Sequence, residues 1–331
     1  MKFLIIQTAF IGDVVLATPL VEKLRRFYPG AQIDFLIRRG NEKLLSGHPH
    51  LTRIWIWEKK QSKYRSLWQL ARQLRRERYD CVVNCQRFAN SGLLTVLARA
   101  RYTVGFRKNP FSLLFSRRVP HLFGTPERPV HEIERNLRLI EHLTDNSPEL
   151  PRLYPSEADT GTVRALVAGS ARYVCLAPAS VWFTKQFPAH KWLELINRIP
   201  AKIPVFLLGG PEDATLCQQI GVAARHPDVR NMAGQLSFLE SAALMRAAAL
   251  NYVNDSAPMH LASAVNAPVA AVFCSTLPLF GFTPLSNIRF VLETPTHLAC
   301  RPCGLHGRNA CPQGHFNCAE TIDAAGFPIP E

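Results

Sequence analysis

The sequence lacks the features that mark a membrane-spanning, secreted or dinucleotide-binding chain. No apolar run reaches the roughly twenty residues that a transmembrane helix needs. The residues after Met1 do not form a signal peptide. The loop after the first apolar stretch, at residues 8–13, does not contain the G-x-G-x-x-G fingerprint, so a dinucleotide site is not supported. We therefore expect a soluble, cytosolic protein.

Acidic residues are scarce relative to basic ones, and the imbalance is confined to one half of the chain. Residues 1–155 hold 27 Lys and Arg against 13 Asp and Glu, whereas residues 156–331 hold 12 of each, so the formal charge of +14 lies in the first half. This asymmetry favours an anionic partner there: nucleic acid, an acidic membrane surface or a phosphorylated substrate. The alternative is a solvated basic surface that only aids solubility. Nucleic acid is disfavoured because the sequence shows no nucleic-acid motif.

The length and the alternation of apolar segments predict two α/β domains. A chain of 331 residues exceeds the usual size of one hydrophobic core. Strand and helix patterns alternate on both sides of a proline-rich stretch at residues 144–158, where we place the linker. We predict domains at residues 1–150 and 151–331, each with a doubly wound parallel sheet. Ligands of such sheets bind at the carboxyl ends of the strands, so the loops there are the candidate sites.

Four helices are predicted in the first half: two at residues 67–76 and 91–98, and two that bear on the candidate site or on the end of the first domain. One begins at Asp13, where Gly12 permits a tight turn, and carries its apolar residues on one face. The other spans residues 130–143, where Ile133, Leu137 and Ile140 recur at helical spacing. At the start of the first helix Asp13 is a candidate general base, and the alternative is a carboxylate that only caps the helix.

The stretch Asn254-Asp255-Ser256-Ala257-Pro258 indicates a buried strand that turns into a helix with an exposed N-terminus. Ser256 is a candidate N-cap and Pro258 lies in the first turn. Free backbone N–H groups and the helix dipole make such a terminus suitable for a phosphate. The alternative is that Asp255 and Ser256 simply cap a core helix.

Two further loops of the second half carry charged residues directly after predicted strands. Lys185 lies in an aromatic loop and is placed to neutralise a phosphate or a leaving group, unless it is an ordinary surface lysine. Glu212 and Asp213 follow Gly209-Gly210, where they could accept hydrogen bonds from a ribose or simply start the next helix.

The cysteines do not suggest a disulfide framework, but four of them are grouped near the end of the chain. Cys300 and Cys303 form a C-x-x-C pair, and Cys311 and Cys318 follow at wider spacing. Four thiolates could hold a structural zinc ion in a loop with few apolar residues. Unliganded thiols or a disulfide are the alternatives, and the sequence leaves this open.

Taken together in their order, the Gly12-Asp13 loop, the Lys185 loop, the Gly209-Gly210 turn, Ala233-Gly234 and the Asn254 to His260 stretch resemble the ADP-heptose:lipopolysaccharide heptosyltransferases, glycosyltransferase family 9. The resemblance covers roughly residues 1 to 320. It implies a GT-B fold, in which two Rossmann-like domains face each other across a central cleft. The first domain would bind the acceptor and the second the sugar nucleotide.

The resemblance also implies roles for individual residues. Asp13 would be the general base and Lys185 the cation near the donor phosphates, with Thr8 and Gly12 on the acceptor side. The remaining donor-binding positions would be Ser180, Asp213, Leu236, Asp255, Ser256, Ala257 and His260. The implied enzyme inverts the anomeric centre and needs no metal for catalysis.

The implied partners are ADP-heptose and a phosphorylated, lipid-linked core oligosaccharide at the cytoplasmic face of the inner membrane, which suits a basic first half. Two departures from the family pattern stand out. Ala257 replaces a common glycine, which affects how closely a diphosphate approaches the backbone. The proline-broken end at residues 327–331 is not expected to form the long closing helix of many GT-B proteins.

Two rival functions remain open at this stage. One is another GT-B activity, such as a UDP-sugar transferase or a sugar-nucleotide epimerase, which would share the diphosphate loop. The other is nucleic-acid binding, suggested by the charge of the first half alone.

Overall fold

The computed structural model describes residues 1–59 and 63–331, and these residues divide into two compact units. The first unit is Met1–Tyr154 and the second is Pro155–Glu331. Each unit contains one six-stranded sheet in which every neighbouring pair of strands is parallel. Each unit is therefore a doubly wound α/β structure in its own right.

In the first unit the strands run in the order β3-β2-β1-β4-β5-β6. They are β1 Lys2–Ile6, β2 Gln32–Arg38, β3 Arg53–Trp57, β4 Cys81–Asn84, β5 Tyr102–Phe106 and β6 Arg117–Val119. The helices are α1 Ile11–Val15, α2 Thr18–Phe27, α3 Lys63–Arg76, α4 Ala89–Leu97 and α5 Glu132–Leu137. The strand order reverses between β1 and β4, which is the switch point where ligands bind in such sheets.

The second unit repeats the same topology. Its sheet order is β12-β11-β10-β7-β8-β9. The strands are β7 Val174–Ala177, β8 Val205–Leu207, β9 Val229–Asn231, β10 Leu250–Asn254, β11 Val269–Phe273 and β12 Arg289–Glu293. The helices are α6 Glu157–Leu166, α7 Ala189–Ile196, α8 Ala214–Ala223, α9 Phe238–Ala247, α10 Ala257–Ala264 and α11 Asn317–Glu320. The switch point of this sheet lies between β7 and β10.

The strands β7 and β11 are continuously apolar, as buried parallel strands require, and β10 is apolar except for Asn251 and Asn254. Every residue of β7 and of β11 is buried, and so is every residue of β10. The chain end packs on the same core: Phe327 is 2% exposed, and its ring lies 5.5 Å from that of Phe187. The last helical turn is the short 3-10 segment Ala324–Gly326, so residues 327–331 extend the second unit without a long helix.

The structure corrects two of the four helices predicted in the first half, whereas those predicted at residues 67–76 and 91–98 are confirmed as α3 and α4. The helix predicted to start at Asp13 starts two residues earlier and is broken at Leu16 into α1 and α2. Gly12 therefore lies inside α1 instead of forming a tight turn. The helix predicted at residues 130–143 is regular only over α5, because the bonds then change to the i to i−3 pattern, as for Leu139 N–H with Asn136 O.

Candidate functional site

Lys185 and Asp255 meet at the switch point of the second sheet. Lys185 ends the 3-10 turn Phe183–Lys185 that follows β7, and Asp255 follows directly on β10. The Lys185 Nζ atom lies 2.7 Å from Asp255 Oδ2, and the two side chains are 15% and 7% exposed. Lys185 is therefore a largely buried member of an ion pair, and the alternative of an ordinary surface lysine is wrong.

The Asp255 carboxylate is held from a second side as well. The hydroxyl of Thr276, just after β11, donates to Asp255 Oδ2 at 2.6 Å, and the backbone N–H of Asp255 donates to Val272 O at 2.9 Å. Thr276 is 1% exposed. The carboxylate is thus oriented by one cation and one hydroxyl, in a site with little access to water.

Asn254 ties the loop after β7 to the end of β10. Its Oδ1 accepts the Phe187 N–H at 2.9 Å, and its Nδ2 donates to Pro178 O at 2.8 Å. The side chain is fully buried. The loop that carries Lys185 is therefore bonded at both ends to the strand that carries Asp255. Within this loop, Gln186 Nε2 donates to the carbonyl of Ser180 at 2.6 Å.

The N-terminus of α10 is uncapped by side chains in the described part of the chain. Ser256 occupies the N-cap position with an extended backbone. Its hydroxyl donates to Asn254 O at 3.4 Å and accepts no N–H from the first turn of the helix. By contrast, Ser237 at the start of α9 accepts the N–H of Glu240. The expectation that Ser256 is the N-cap residue agrees with its position, but its side chain does not cap the first turn. Pro258 has no N–H and the Met259 N–H donates to Ser256 O at 3.1 Å, so Ala257 supplies the first-turn N–H that a ligand could use.

The loops after β8 and β9 lie at the same end of the second sheet. Asp213 Oδ2 accepts the Gly210 N–H at 2.8 Å, and burial raises the pKa of Asp213 above its usual value. Gly234 has φ +75° and donates its N–H to Gly209 O at 3.0 Å. A Cβ on Gly234 would lie 2.9 Å from Pro211 Cα, so only glycine fits this approach of the two loops.

The remaining predicted donor residues lie on these same loops or on α10. Leu236 is half-buried and directly precedes the N-cap of α9. His260 lies one turn into α10, is 5% exposed, and its ring is 6.3 Å from that of Phe282. The structure therefore places every predicted donor-binding residue at the carboxyl edge of one sheet or in the helix that starts there, and it brings Lys185 and Asp255 into contact.

In the first unit, Asp13 lies in α1 beside the β1/β4 switch point. It is half-exposed, and its Oδ2 accepts the N–H of Phe10 at 3.2 Å. Thr8, which is predicted to lie on the acceptor side, is fully buried: its hydroxyl donates to Gln86 Oε1 at 2.6 Å, and its carbonyl accepts from Lys59 Nζ at 2.6 Å. Thr8 thus belongs to the polar network beneath the Asp13 loop.

The four cysteines near the chain end line one cavity of about 180 Å³ together with His315. Cys300 Sγ lies 4.0 Å from His315 Nε2. Burial and the neighbouring thiols raise the pKa of Cys303, and they raise the pKa of Cys318 to about 11. All nine cysteines are free thiols, so the disulfide alternative is not seen. Within the described residues, no three His, Cys, Asp or Glu side chains are arranged to hold a metal ion.

Sequence reasoning missed the polar residues that hold the ion pair in place. Thr184, Ser275 and Thr276 are each buried to 1% exposure or less and make side-chain hydrogen bonds at the site. A signal for two of them was present, because Ser275 and Thr276 follow shortly after the strand that the apolar run at residues 269–273 predicts, at the edge where ligands bind. Their bonding partners lie far away in sequence and could not be read from it.

The two Rossmann-like units, with polar loops at their switch points, define an α/β enzyme with the GT-B fold of glycosyltransferases. Residues 67–304 match the family described as glycosyltransferase family 9 (heptosyltransferase), and the chain belongs to that family. The predicted fold class, family and enzyme type are therefore confirmed. No helix in the described ranges combines the length and apolarity needed to cross a membrane.

Individual relatives agree with this assignment. The chain is 28% identical over 290 residues to a lipopolysaccharide heptosyltransferase 3 of Escherichia coli, covering 84% of both chains. It is 27% identical over 326 residues to a lipopolysaccharide heptosyltransferase 1 of Pseudomonas aeruginosa, covering 92% of this chain and 86% of the relative. The solved structure of an E. coli ADP-heptose lps heptosyltransferase II is 23% identical and shares the fold with a TM-score of 0.77, covering 97% of this chain and 98% of that one.

Proposed function

We propose that this chain transfers a heptose from ADP-heptose to a phosphorylated acceptor of the lipopolysaccharide inner core, with inversion at the anomeric carbon. The observation that carries the proposal is the Lys185–Asp255 pair beside the uncapped N-terminus of α10. The names of the relatives, which are lipopolysaccharide heptosyltransferases, support the substrate class.

The second unit is proposed to bind the donor. The N–H of Ala257, in the first turn of α10, would donate to the diphosphate with the positive end of the helix dipole behind it. Lys185 would neutralise the charge that develops on the departing ADP. Asp255 orients the lysine in its largely buried position before the donor arrives. Asp213 is proposed to accept hydrogen bonds from the ribose, with Leu236 near the adenine.

The first unit is proposed to bind the acceptor. Asp13 would take the proton from an acceptor hydroxyl as that oxygen forms a bond to the anomeric carbon. The bond from this carbon to the ADP oxygen breaks on the opposite face, which inverts the centre. Residues 1–155 contain 27 basic and 13 acidic residues, and this net positive charge favours binding of the phosphates of such an acceptor. No metal takes part in this scheme.

A cytoplasmic location with peripheral contact at the inner membrane goes with this acceptor. Two leucines in the first unit form an exposed apolar tip: Leu113 is 77% exposed and Leu114 is 64% exposed. Arg117 and Arg118, a few residues further on, are also exposed. Apolar tips beside basic residues favour anionic lipid surfaces.

Vesicle binding tests the membrane contact. Replacing both Leu113 and Leu114 with serine should reduce co-sedimentation with anionic vesicles several-fold. Val222→Ser removes an equally exposed apolar side chain from the second unit, at 75% exposure, and should leave binding unchanged. Equal binding of the leucine variant and the unchanged protein would rule out this tip as the contact.

The four cysteines remain candidates for a structural zinc site. Their convergence on one cavity supports the proposal, although the thiols would have to turn inward to close on an ion. Metal analysis of the purified protein, read with alkylation of the four thiols before and after chelation, tests it. About one zinc per chain and chelator-dependent alkylation are expected, and metal-free protein with reactive thiols would contradict the assignment.

Two experiments test the main proposal. In thermal-shift titrations ADP should raise the melting temperature more than UDP or GDP, and a preference for UDP would favour another GT-B activity such as a UDP-sugar transferase or an epimerase. Incubation with ADP-heptose and heptose-deficient lipopolysaccharide acceptors of graded length should then release ADP with one acceptor class.

Salt-dependent retention on DNA without any effect of ADP would favour the nucleic-acid alternative instead.

A further inference from the structure

The cysteine-rich loop between Cys300 and Cys318 lies directly against the turn that carries Lys185. Thr184 is the link between them. The hydroxyl oxygen of this fully buried side chain accepts the Arg308 N–H at 2.8 Å, and the Thr184 N–H donates to Arg308 O at 3.0 Å. On its other side the same oxygen accepts from the Ser275 hydroxyl at 2.9 Å. The residue before the lysine is therefore bonded to two distant segments at once.

Gly307 brings the loop into contact with the lysine side chain itself. It has φ +81°, and a Cβ placed on it would lie 2.9 Å from Lys185 Cγ, 3.1 Å from Thr184 Oγ1 and 3.2 Å from Trp182 Cβ. A side chain at this position would have to displace the stem of the lysine. The absence of a Cβ thus sets how closely the loop approaches Lys185.

The same loop also supports the residues on the far side of the ion pair. Arg301 Nη2 donates to Thr276 O at 2.8 Å and to Phe273 O at 3.0 Å, and it pairs with Glu293 Oε2 at 2.7 Å. The Cys303 N–H donates to Ser275 O at 2.9 Å. Ser275 and Thr276 are in turn the residues that bond to Thr184 and to Asp255. Both members of the ion pair are therefore reached from one loop.

The turn that carries Lys185 needs such external support. It is a single 3-10 turn of three residues, and Phe183 in this turn is 45% exposed while Val181 just before it is 74% exposed. A short turn with exposed apolar side chains contributes little burial to its own stability. Contacts from outside must then define the direction of the lysine.

We propose that the cysteine-rich loop is a positioning element for Lys185, acting through the Thr184 hydroxyl and the side-chain-free contact of Gly307. Thr184 and Gly307 do not touch the donor in this proposal; they hold the residue that does. The loop thus contributes to the geometry of the donor site in addition to its structural role. The proposal rests on the donor role given to Lys185 above.

Two glycines of the loop provide a matched test. Gly304 and Gly307 have similar positive φ values, +76° and +81°, so alanine costs similar backbone strain at either. A Cβ on Gly304 would meet none of the described atoms within 4 Å. We expect Gly307→Ala to speed amide exchange in residues 181–187 at least tenfold and to lower kcat at least tenfold, while Gly304→Ala changes neither. Equal behaviour of the two variants would overturn the proposal.

A second pair of variants, at Thr184, tests the proposal even if Gly307→Ala misfolds. Thr184→Val removes the hydroxyl while keeping the shape, and Thr184→Ser keeps the hydroxyl. The valine variant should show the same fast exchange in residues 181–187 and a reduced kcat at unchanged acceptor KM, and the serine variant should restore both. Amide exchange does not depend on the substrate, so unchanged exchange in the valine variant refutes the support role. Failure of the native protein to bind ADP would instead refute the proposed function.

Discussion

Asp13 and Lys185 occupy corresponding places in two sheets of the same strand order, since each follows the first strand of its unit. They are held in different ways. The hydrogen bond from Phe10 N–H to Asp13 spans three residues within one short helix. The bonds to Thr184 from Ser275 and Arg308 span 91 and 124 residues. Asp13 thus has a bond within its own helix, whereas the turn that carries Lys185 is bonded to segments far away in sequence.

The largest expected effect is on turnover, from a substitution of Asp13 in the first unit. Asp13→Asn keeps the size of the side chain but removes the proton acceptor, so turnover should fall by about two or more orders of magnitude, as for general bases, with ADP affinity retained. Asp159→Asn is the matched control, because Asp159 accepts the Ser156 N–H at 2.7 Å in the same helical position of α6. Steady-state ADP release measures both, and near-normal turnover of the Asp13 variant would remove that residue from its role.

A smaller effect is expected from a substitution of Lys185, whose turn is held by tertiary contacts. Lys185→Ala leaves the Asp255 carboxylate buried without its cation and removes the charge next to the leaving group. We expect ADP affinity to fall about tenfold and turnover to fall further. Lys191→Ala is the control and should change neither, because this lysine is buried to a similar degree, at 17% exposure, and pairs with Glu194 on α7. Unchanged ADP binding by calorimetry in the Lys185 variant would separate this lysine from the donor site.

Thr276→Val tests whether the network around the pair matters for function. It deletes the hydroxyl that donates to Asp255 at 2.6 Å, a bond worth about 1.5–3 kcal/mol because its acceptor is charged. ADP affinity should fall about threefold to tenfold. Thr294→Val removes a comparable hydroxyl, 2.6 Å from that of Thr321 in the same unit, and should leave ADP binding intact. The same loss in both variants would indicate general destabilisation instead.

The smallest expected effect is on stability near the Asp13 loop. Lys23, on the helix after that loop, is fully buried and donates to Asp145, which lowers the pKa of Asp145 to about 2. A lowered pKa contributes stability above the unfolded value of about 4 that is lost as pH falls towards 2. Urea midpoints of the protein and of Asp145→Asn should therefore converge between pH 4 and pH 2. A constant gap over this range would contradict the assignment.

The parts of the fold that could be predicted were those with strong local patterns. The apolar runs at residues 2–7, 33–37, 81–84, 173–177 and 269–273 predict strands, and β1, β2, β4, β7 and β11 agree with them to within two residues. β6, β9 and β12 were missed because they are edge strands in which polar or exposed residues prevail. The end of α5 was misplaced because apolar residues continue at helical spacing after the regular bonding stops.

The sequence by itself determined the two α/β units, the loops that carry Asp13, Lys185 and Asp255, and the resemblance to a family of sugar transferases, because apolar periodicity and ordered motifs are written along the chain. Only the tertiary structure decided that Lys185 pairs with Asp255, that Thr8 is buried, and that Thr184, Ser275 and Gly307 bring the cysteine-rich loop against the lysine turn. These contacts join segments 70 to 124 residues apart, and which of them meet is decided by the strand order of the sheet.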